Sequence, residues 1–302
     1  MISVILPYRN PDLDGVASAL GLEAVFPAWT ACIDGAIDAE TSAVLTALGL
    51  RQPTRRMAWE SIEGIWLVDT HHLRQLPPDL PVERVFRIWD HHPGGDFFPR
   101  AELRNESIGS VATMVWEAYR EGCLTPSSAM AVLLQAAILS NTLDLRAPST
   151  SLRDRAAVAQ LDQIEPITPV LREVMRRAKN SILNQTTSNA VGYDVKHFNT
   201  GFGTAIVAQV EAAGASDLLE RADLAAALSD LATRSGASLA VLNLVDLDAG
   251  MSAIVSTSPD VLAALAANLG VDVDVSGVIR VQRLLQRKSD ILPVLLNQPS
   301  TG

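Results

Sequence analysis

Short apolar runs alternate with segments of helical spacing along the first half of the chain. The runs at 3–6, 64–68 and 84–89 predict strands, and the segment 17–25 predicts a helix between the first two. Further helices are expected at 110–119, 126–140, 152–161 and 169–183, on faces that look like core. Strands alternating with helices predict an α/β domain, a parallel sheet flanked by helices.

A polar stretch at 184–190, reading NQTTSNA, has the composition of a linker and suggests a domain boundary. The expected division is a first domain at 1–183, the linker, and a second domain at 191–302. In that second part, strand-like runs at 193–198, 204–210, 238–245 and 253–256 accompany helical patterns at 217–233 and 259–269. The second domain should therefore be a smaller α/β unit with a mixed sheet. No repeat of solenoid period is present.

Composition narrows the class. The chain has 302 residues, enough for two ordinary domains, and is 48% hydrophobic and 19% charged, as in folded globular proteins. The most apolar stretch, 129–139, is about half of a membrane span and is interrupted by Gln135, so a buried helix is expected and no membrane partner. Residues 1–6 are too few for a secretion signal. Only Cys32 and Cys123 occur, without disulfide or zinc spacing, which fits a reducing cytoplasm. A formal net charge of −10 argues against a nucleic-acid partner. It is compatible with an anionic substrate wherever divalent cations neutralise clustered acids.

Candidate chemistry sits at the predicted strand ends. Asp12 and Asp14 follow the first strand, Asp69 with His71 and His72 the second, and Asp90 with His91 and His92 the third. The carboxyl ends of parallel strands open into one crevice, so these groups can converge. Four of the five histidines lie in the last two motifs. Each motif alone has a plainer reading, a helix cap at Asp12 and Asp14 or a polar loop at the histidine pairs. Together, carboxylates with one or two imidazoles suit Mn²⁺, Mg²⁺ or Co²⁺, and two such ions can activate water for attack on phosphorus.

The motif Asp90-His91-His92, in the setting Ile88-Trp89-Asp90-His91-His92-Pro93, resembles the signature of the DHH phosphoesterases. Asn10-Pro11-Asp12-Leu13-Asp14, Gly109-Ser110-Val111-Ala112-Thr113 and Ile138-Leu139-Ser140-Asn141-Thr142-Leu143 also have counterparts there. Asp194-Val195-Lys196-His197-Phe198, Ala208-Gln209-Val210-Glu211 and Gln286-Arg287-Lys288-Ser289 resemble the DHHA2 domain of family II inorganic pyrophosphatases and related exopolyphosphatases. The resemblance spans nearly the whole chain.

That resemblance implies two divalent cations, with Asp12 on one, Asp14 and His91 on the other, and Asp69 bridging both. His92 would face the substrate, and Lys196, Arg287 and Lys288 would bind its phosphate. The implied enzyme is a cytoplasmic homodimer that hydrolyses a small phosphate anhydride, with the second domain closing over the first. Two positions depart from the pattern. Tyr8 stands where the family usually has a metal-binding histidine, and Asn141 where it has an aspartate, although the asparagine oxygen can still coordinate. Exopolyphosphatase relatives also lack that histidine. The expected activity is hydrolysis of pyrophosphate; the alternatives are exopolyphosphatase action on short polyphosphate and a phosphate- or nucleotide-binding regulator.

Overall fold

The computed structural model describes residues 2–296. The chain divides into two compact units between Met175 and Arg176.

In the first unit, six strands form one sheet: β1 (Ile2–Leu6), β2 (Trp29–Ile33), β3 (Thr54–Arg55), β4 (Ile62–Val68), β5 (Val85–Asp90) and β6 (Glu102–Asn105). Their order is β3-β2-β1-β4-β5-β6, and every pairing is parallel. Both faces are covered, which is why the central strands are apolar throughout rather than alternating. On β1 and β4, Ile5, Trp66 and Val68 enter one core cluster, while Val4, Leu6, Ile65 and Leu67 enter another. The first cluster is closed by the helices α1 (Leu13–Val25), α2 (Ala39–Ala47), α3 (Val111–Glu121), α4 (Ser128–Asn141) and α5 (Leu152–Asp162). The second is closed by loop residues such as Leu76, Leu80 and Phe98.

The order reverses at β1: the chain runs outward through β2 and β3, then returns to β4 on the other side. A crevice outside the carboxyl ends of β1 and β4 follows from that topology. In register, Leu6 lies beside Leu67 and Val68 beside Trp89, so the three strands end level with one another. The 129–139 stretch lies within α4, whose residues Met130 to Leu139 are all buried. Among the described residues no helix is long and apolar enough to cross a membrane.

Helix α6 (Pro169–Asn180) runs through the division between the units. In the second unit, α7 (Thr187–Val191) is followed by β7 (Val195–Thr200), β8 (Gly203–Ala212), α8 (Leu224–Arg234), β9 (Leu239–Asp246), β10 (Met251–Ser256), α9 (Pro259–Leu269), β11 (Ile279–Val281) and α10 (Leu292–Leu296). The sheet order is β11-β10-β9-β8-β7, with only β8 and β9 parallel, so this sheet is mixed as expected. Alternate residues of β8 and β9 face two cores, one against α7 and α8 and the other against α9 and α10. The stretch 184–190, expected as a linker, contributes to α7. Thr186 caps that helix through the Asn189 amide, and Ala190 and Val191 are buried.

Candidate metal centre

The loop after β1 turns into α1 through Asp12, whose Oδ1 accepts hydrogen bonds from the Asp14 and Gly15 amides at 3.0 and 3.2 Å. The capping role read from sequence is therefore real, and it fixes the orientation of the Asp12 carboxylate. Tyr8 is buried beside it, and its hydroxyl oxygen accepts from the Asp12 amide at 3.1 Å.

Asp14, in the first turn of α1, is buried against the start of α3. Its Oδ1 accepts from the Ser110 hydroxyl at 2.7 Å and the Ala112 amide at 2.9 Å, and its Oδ2 from the Val111 amide at 2.9 Å. A helix N-terminus favours an anion there. Asn141, at the end of α4, adds its amide NH₂ to Asp14 Oδ2 at 2.8 Å, and the same NH₂ reaches the Gly109 carbonyl at 3.1 Å. Two acceptors face that group, so the amide orientation is fixed by chemistry. Burial, with the charges of Asp69 and Asp12 close by, still pushes the Asp14 carboxyl up to about 7, although His91 and Ser110 pull it down.

The loop 109–113 that holds Asp14 is itself held by Asp154, on α5. Asp154 is fully buried and accepts from the Gly109 amide at 2.8 Å and the Thr113 hydroxyl at 2.6 Å. Its partner Ser151 completes a capping box at the start of α5. Gly109 leaves no room for a side chain, since a Cβ would fall 2.4 Å from Thr142 Cγ2 and 2.8 Å from Asp154 Oδ2.

At the end of β4, Asp69 takes a left-handed backbone conformation, φ 63°, which is costly for a non-glycine residue and aims its carboxylate inward. Its amide donates to the Trp89 carbonyl at 2.8 Å, tying the ends of β4 and β5 together. Asp69 Oδ1 lies 3.1 Å from His91 Nε2 and 3.8 Å from His92 Nδ1, and Asp14 Oδ2 lies 3.9 Å from His91 Nε2. His91 Nδ1 is 3.2 Å from the Ile108 carbonyl, which can only accept, so this nitrogen carries the proton. In the neutral ring Nε2 is then a lone pair facing two carboxylates. A cation satisfies that arrangement.

Ligand atoms of Asp69, His91 and His92 lie within 4.8 Å of one another and can hold a metal ion. Carboxylate oxygens with imidazole nitrogens, and no thiolate, suit Mn²⁺, Mg²⁺ or Co²⁺. The residues present therefore fit divalent cations.

Asp90 lies beneath this cluster. Its Oδ1 accepts from the His91 amide at 2.7 Å, the His92 amide at 3.2 Å and His92 Nδ1 at 2.8 Å, and its Oδ2 accepts from His71 Nδ1. Burial alone raises an acid, but His92, His71 and His91 outweigh it and hold Asp90 well below the usual carboxylate range. Burial lowers His71, yet the hydrogen bond and charge of Asp90 leave its imidazole raised overall.

The structure thus brings Asp14, Asp69, His91 and His92 together and sets Asn141 against Asp14. Asp144, three residues beyond Asn141, pairs with Arg172 at 2.9 Å. In the second unit, Lys196 is buried on β7. Arg287 is also buried, its guanidinium paired with both Asp194 oxygens at 2.9 and 3.0 Å and bonded to the Asp194 and Val207 carbonyls at 3.2 Å. Lys288 follows in the same one-turn segment, Arg287–Ile291. Sequence reasoning named Ser110 only as part of the 109–113 motif, without a role, and did not single out Asp154, although the Ser151-to-Asp154 spacing of a capping box was there to read.

Comparison with known proteins agrees with this architecture. Residues 173–298 match the DHHA2 domain model. A protein of Streptococcus suis, named as a probable manganese-dependent inorganic pyrophosphatase, is 27% identical over 88% of this chain and 86% of its own length. One of Brevibacillus brevis with the same name is 27% identical over 97% of this chain and 96% of its own. Among solved structures, a Methanococcus jannaschii candidate family II inorganic pyrophosphatase superposes with a TM-score of 0.85 at 23% identity, covering 98% of both chains.

Proposed function

We propose that this chain, a DHH/DHHA2 phosphoesterase resembling the family II inorganic pyrophosphatases, hydrolyses inorganic pyrophosphate to two phosphates with the help of divalent cations. The observation that carries the reading is the convergence of His91 Nε2 with the Asp69 and Asp14 carboxylates, at 3.1 and 3.9 Å, in a fold that matches a candidate family II pyrophosphatase structure over 98% of both chains. Asp12 would hold one cation, Asp14 and His91 a second, and Asp69 would serve both. When bound, the cations supply Lewis acidity to phosphoryl oxygens and lower the pKa of water. The names of the relatives favour Mn²⁺, while Mg²⁺ and Co²⁺ suit the same donors.

The protein's own groups do the rest. Asp90 keeps the proton of His92 on Nδ1, so His92 presents Nε2 as an acceptor toward the substrate side or, once protonated, as a donor to a phosphate oxygen. Asn141 acts as a donor that orients Asp14, and Tyr8 as a buried phenol beside Asp12. Lys196, Arg287 and Lys288 bind phosphate; the Asp194 pair holds the Arg287 guanidinium in a set orientation. The two cysteines, neither in a disulfide, support a cytoplasmic location, and a homodimer is the expected assembly.

Phosphate release from pyrophosphate, tripolyphosphate and long-chain polyphosphate, each with Mn²⁺, Mg²⁺ or Co²⁺, tests the reading. Fastest turnover of pyrophosphate with Mn²⁺ is expected. Faster release from the longer chains would reassign the substrate, and no release from any of them would overturn the reading.

A further inference from the structure

The DHH motif is supported from below by a histidine outside it. His71 is 3% exposed, and its Nδ1 donates to Asp90 Oδ2, the oxygen that neither His91 nor His92 uses. Asp90 Oδ1 receives His92 Nδ1 at 2.8 Å and both histidine amides. One carboxylate thus links two imidazoles back to back. Asp90 is fully buried, so no solvent competes for its oxygens.

A second, independent observation concerns the loop that follows the motif. The Asp96 amide donates to the His71 carbonyl at 2.9 Å, and the Asp96 carboxylate accepts from the Leu73 amide at 2.7 Å, so the loop folds back over His71. At Gly95, φ 115°, a Cβ would fall 1.8 Å from His71 Nε2 and 2.0 Å from Cδ2. The backbone rests directly on the ring at a position only glycine tolerates. The imidazole is clamped between Asp90 and this loop.

We propose that His71 is a positioning residue: held by the Gly95 backbone, it anchors Asp90, and through Asp90 it fixes the ring orientation and Nδ1–H tautomer of His92. The physical basis is that a carboxylate held on one oxygen only can swing, and the imidazole bonded to its other oxygen swings with it. Without His71, Asp90 keeps the two backbone amides on Oδ1 but loses the one side-chain tether that the described residues give its Oδ2. His92 then samples both tautomers, and the fraction with an unprotonated Nε2 falls. Substrate binding by the basic residues is untouched. The consequence for turnover rests on the proposed pyrophosphatase activity, whereas the consequence for the His92 tautomer does not.

The test uses wild type, His71→Ala, His71→Asn and Gly95→Ala, with folding checked by circular dichroism. Long-range ¹H–¹⁵N spectra of the imidazoles, recorded on metal-free protein above the usual imidazole range, read the His92 tautomer without any activity. A single Nδ1–H form is expected in wild type and mixed tautomers in His71→Ala and Gly95→Ala. Asparagine can set its amide NH₂ close to where the imidazole Nδ1–H lies, so His71→Asn should restore the single form. With Mn²⁺ and pyrophosphate, kcat should fall roughly ten- to a hundredfold in the alanine variants with little change in KM, and recover largely in His71→Asn. Should His71→Ala fail to fold, Gly95→Ala displaces the ring without removing it and carries the comparison. An unchanged His92 tautomer together with wild-type kcat in the alanine variants would overturn the proposal. A wild type silent toward pyrophosphate but with the expected tautomer changes would overturn the proposed activity and leave the positioning role standing.

Discussion

Asn141 enters the site as a hydrogen-bond donor. Its NH₂ lies between Asp14 Oδ2 and the Gly109 carbonyl, two acceptors in a buried setting. An aspartate there would set one carboxylate against another and leave the Gly109 carbonyl without this donor. Asn141→Asp should therefore destabilise the metal-free protein by about 1–3 kcal/mol, a lower melting temperature in the presence of chelator. Divalent cation should raise the melting temperature of the variant more than that of wild type, because the added charge is then neutralised. Thermal unfolding of both proteins with chelator and with Mn²⁺ checks this. Equal response to Mn²⁺ would show that position 141 lies outside the reach of the ions. The asparagine was legible in the sequence as a departure from the DHH pattern, but its role was not. Which end of an amide faces a carboxylate depends on partners such as Gly109 that lie 32 residues away.

Between elements, the site depends on helix starts as well as on strand ends. The first turn of α3 holds Asp14 through two amides and the Ser110 hydroxyl, and Asp154 at the start of α5 holds that turn in place. Asp154→Ala strips the buried Gly109 amide and Thr113 hydroxyl of their acceptor at once, and at about 1–3 kcal/mol for each orphaned group the loss should be several kcal/mol. Urea unfolding measures it. A loss below about 1 kcal/mol, the scale of a net single hydrogen bond, would mean that water replaces the carboxylate. The longer elements were legible: the pattern at 259–269 is α9, and that at 152–161 is α5 less its last residue. Strands β2, β3 and β6 were not. Thr54–Arg55 is two exposed residues, and Glu102–Asn105 is a polar edge strand with no buried side, so neither carries a hydrophobic period to read. Likewise α7 looked like a linker because its polar composition conceals a capped turn that buries only Thr187, Ala190 and Val191.

For the molecule as a whole, the candidate site residues are divided by charge between the units. The first unit holds Asp12, Asp14, Asp69, Asp90 and the paired histidines at its sheet ends, and the second holds Lys196, Arg287 and Lys288. If the basic set binds phosphate, Lys288→Ala should raise KM for pyrophosphate several-fold while leaving Mn²⁺ affinity, measured by calorimetry, unchanged. Equal loss of both would assign Lys288 to a structural role. This division was legible because charge type and chain position survive in a sequence, whereas the network of Asp90, His71 and Gly95 depends on a loop closing back over a strand end. The central claim, metal-dependent hydrolysis of pyrophosphate at the Asp69 cluster, is tested most directly by phosphate release from wild type and Asp69→Ala, both stripped of metal and reloaded with Mn²⁺. Wild-type turnover should return with Mn²⁺ while the folded variant stays at background; a silent wild type, or a variant that turns over as fast, would contradict the account.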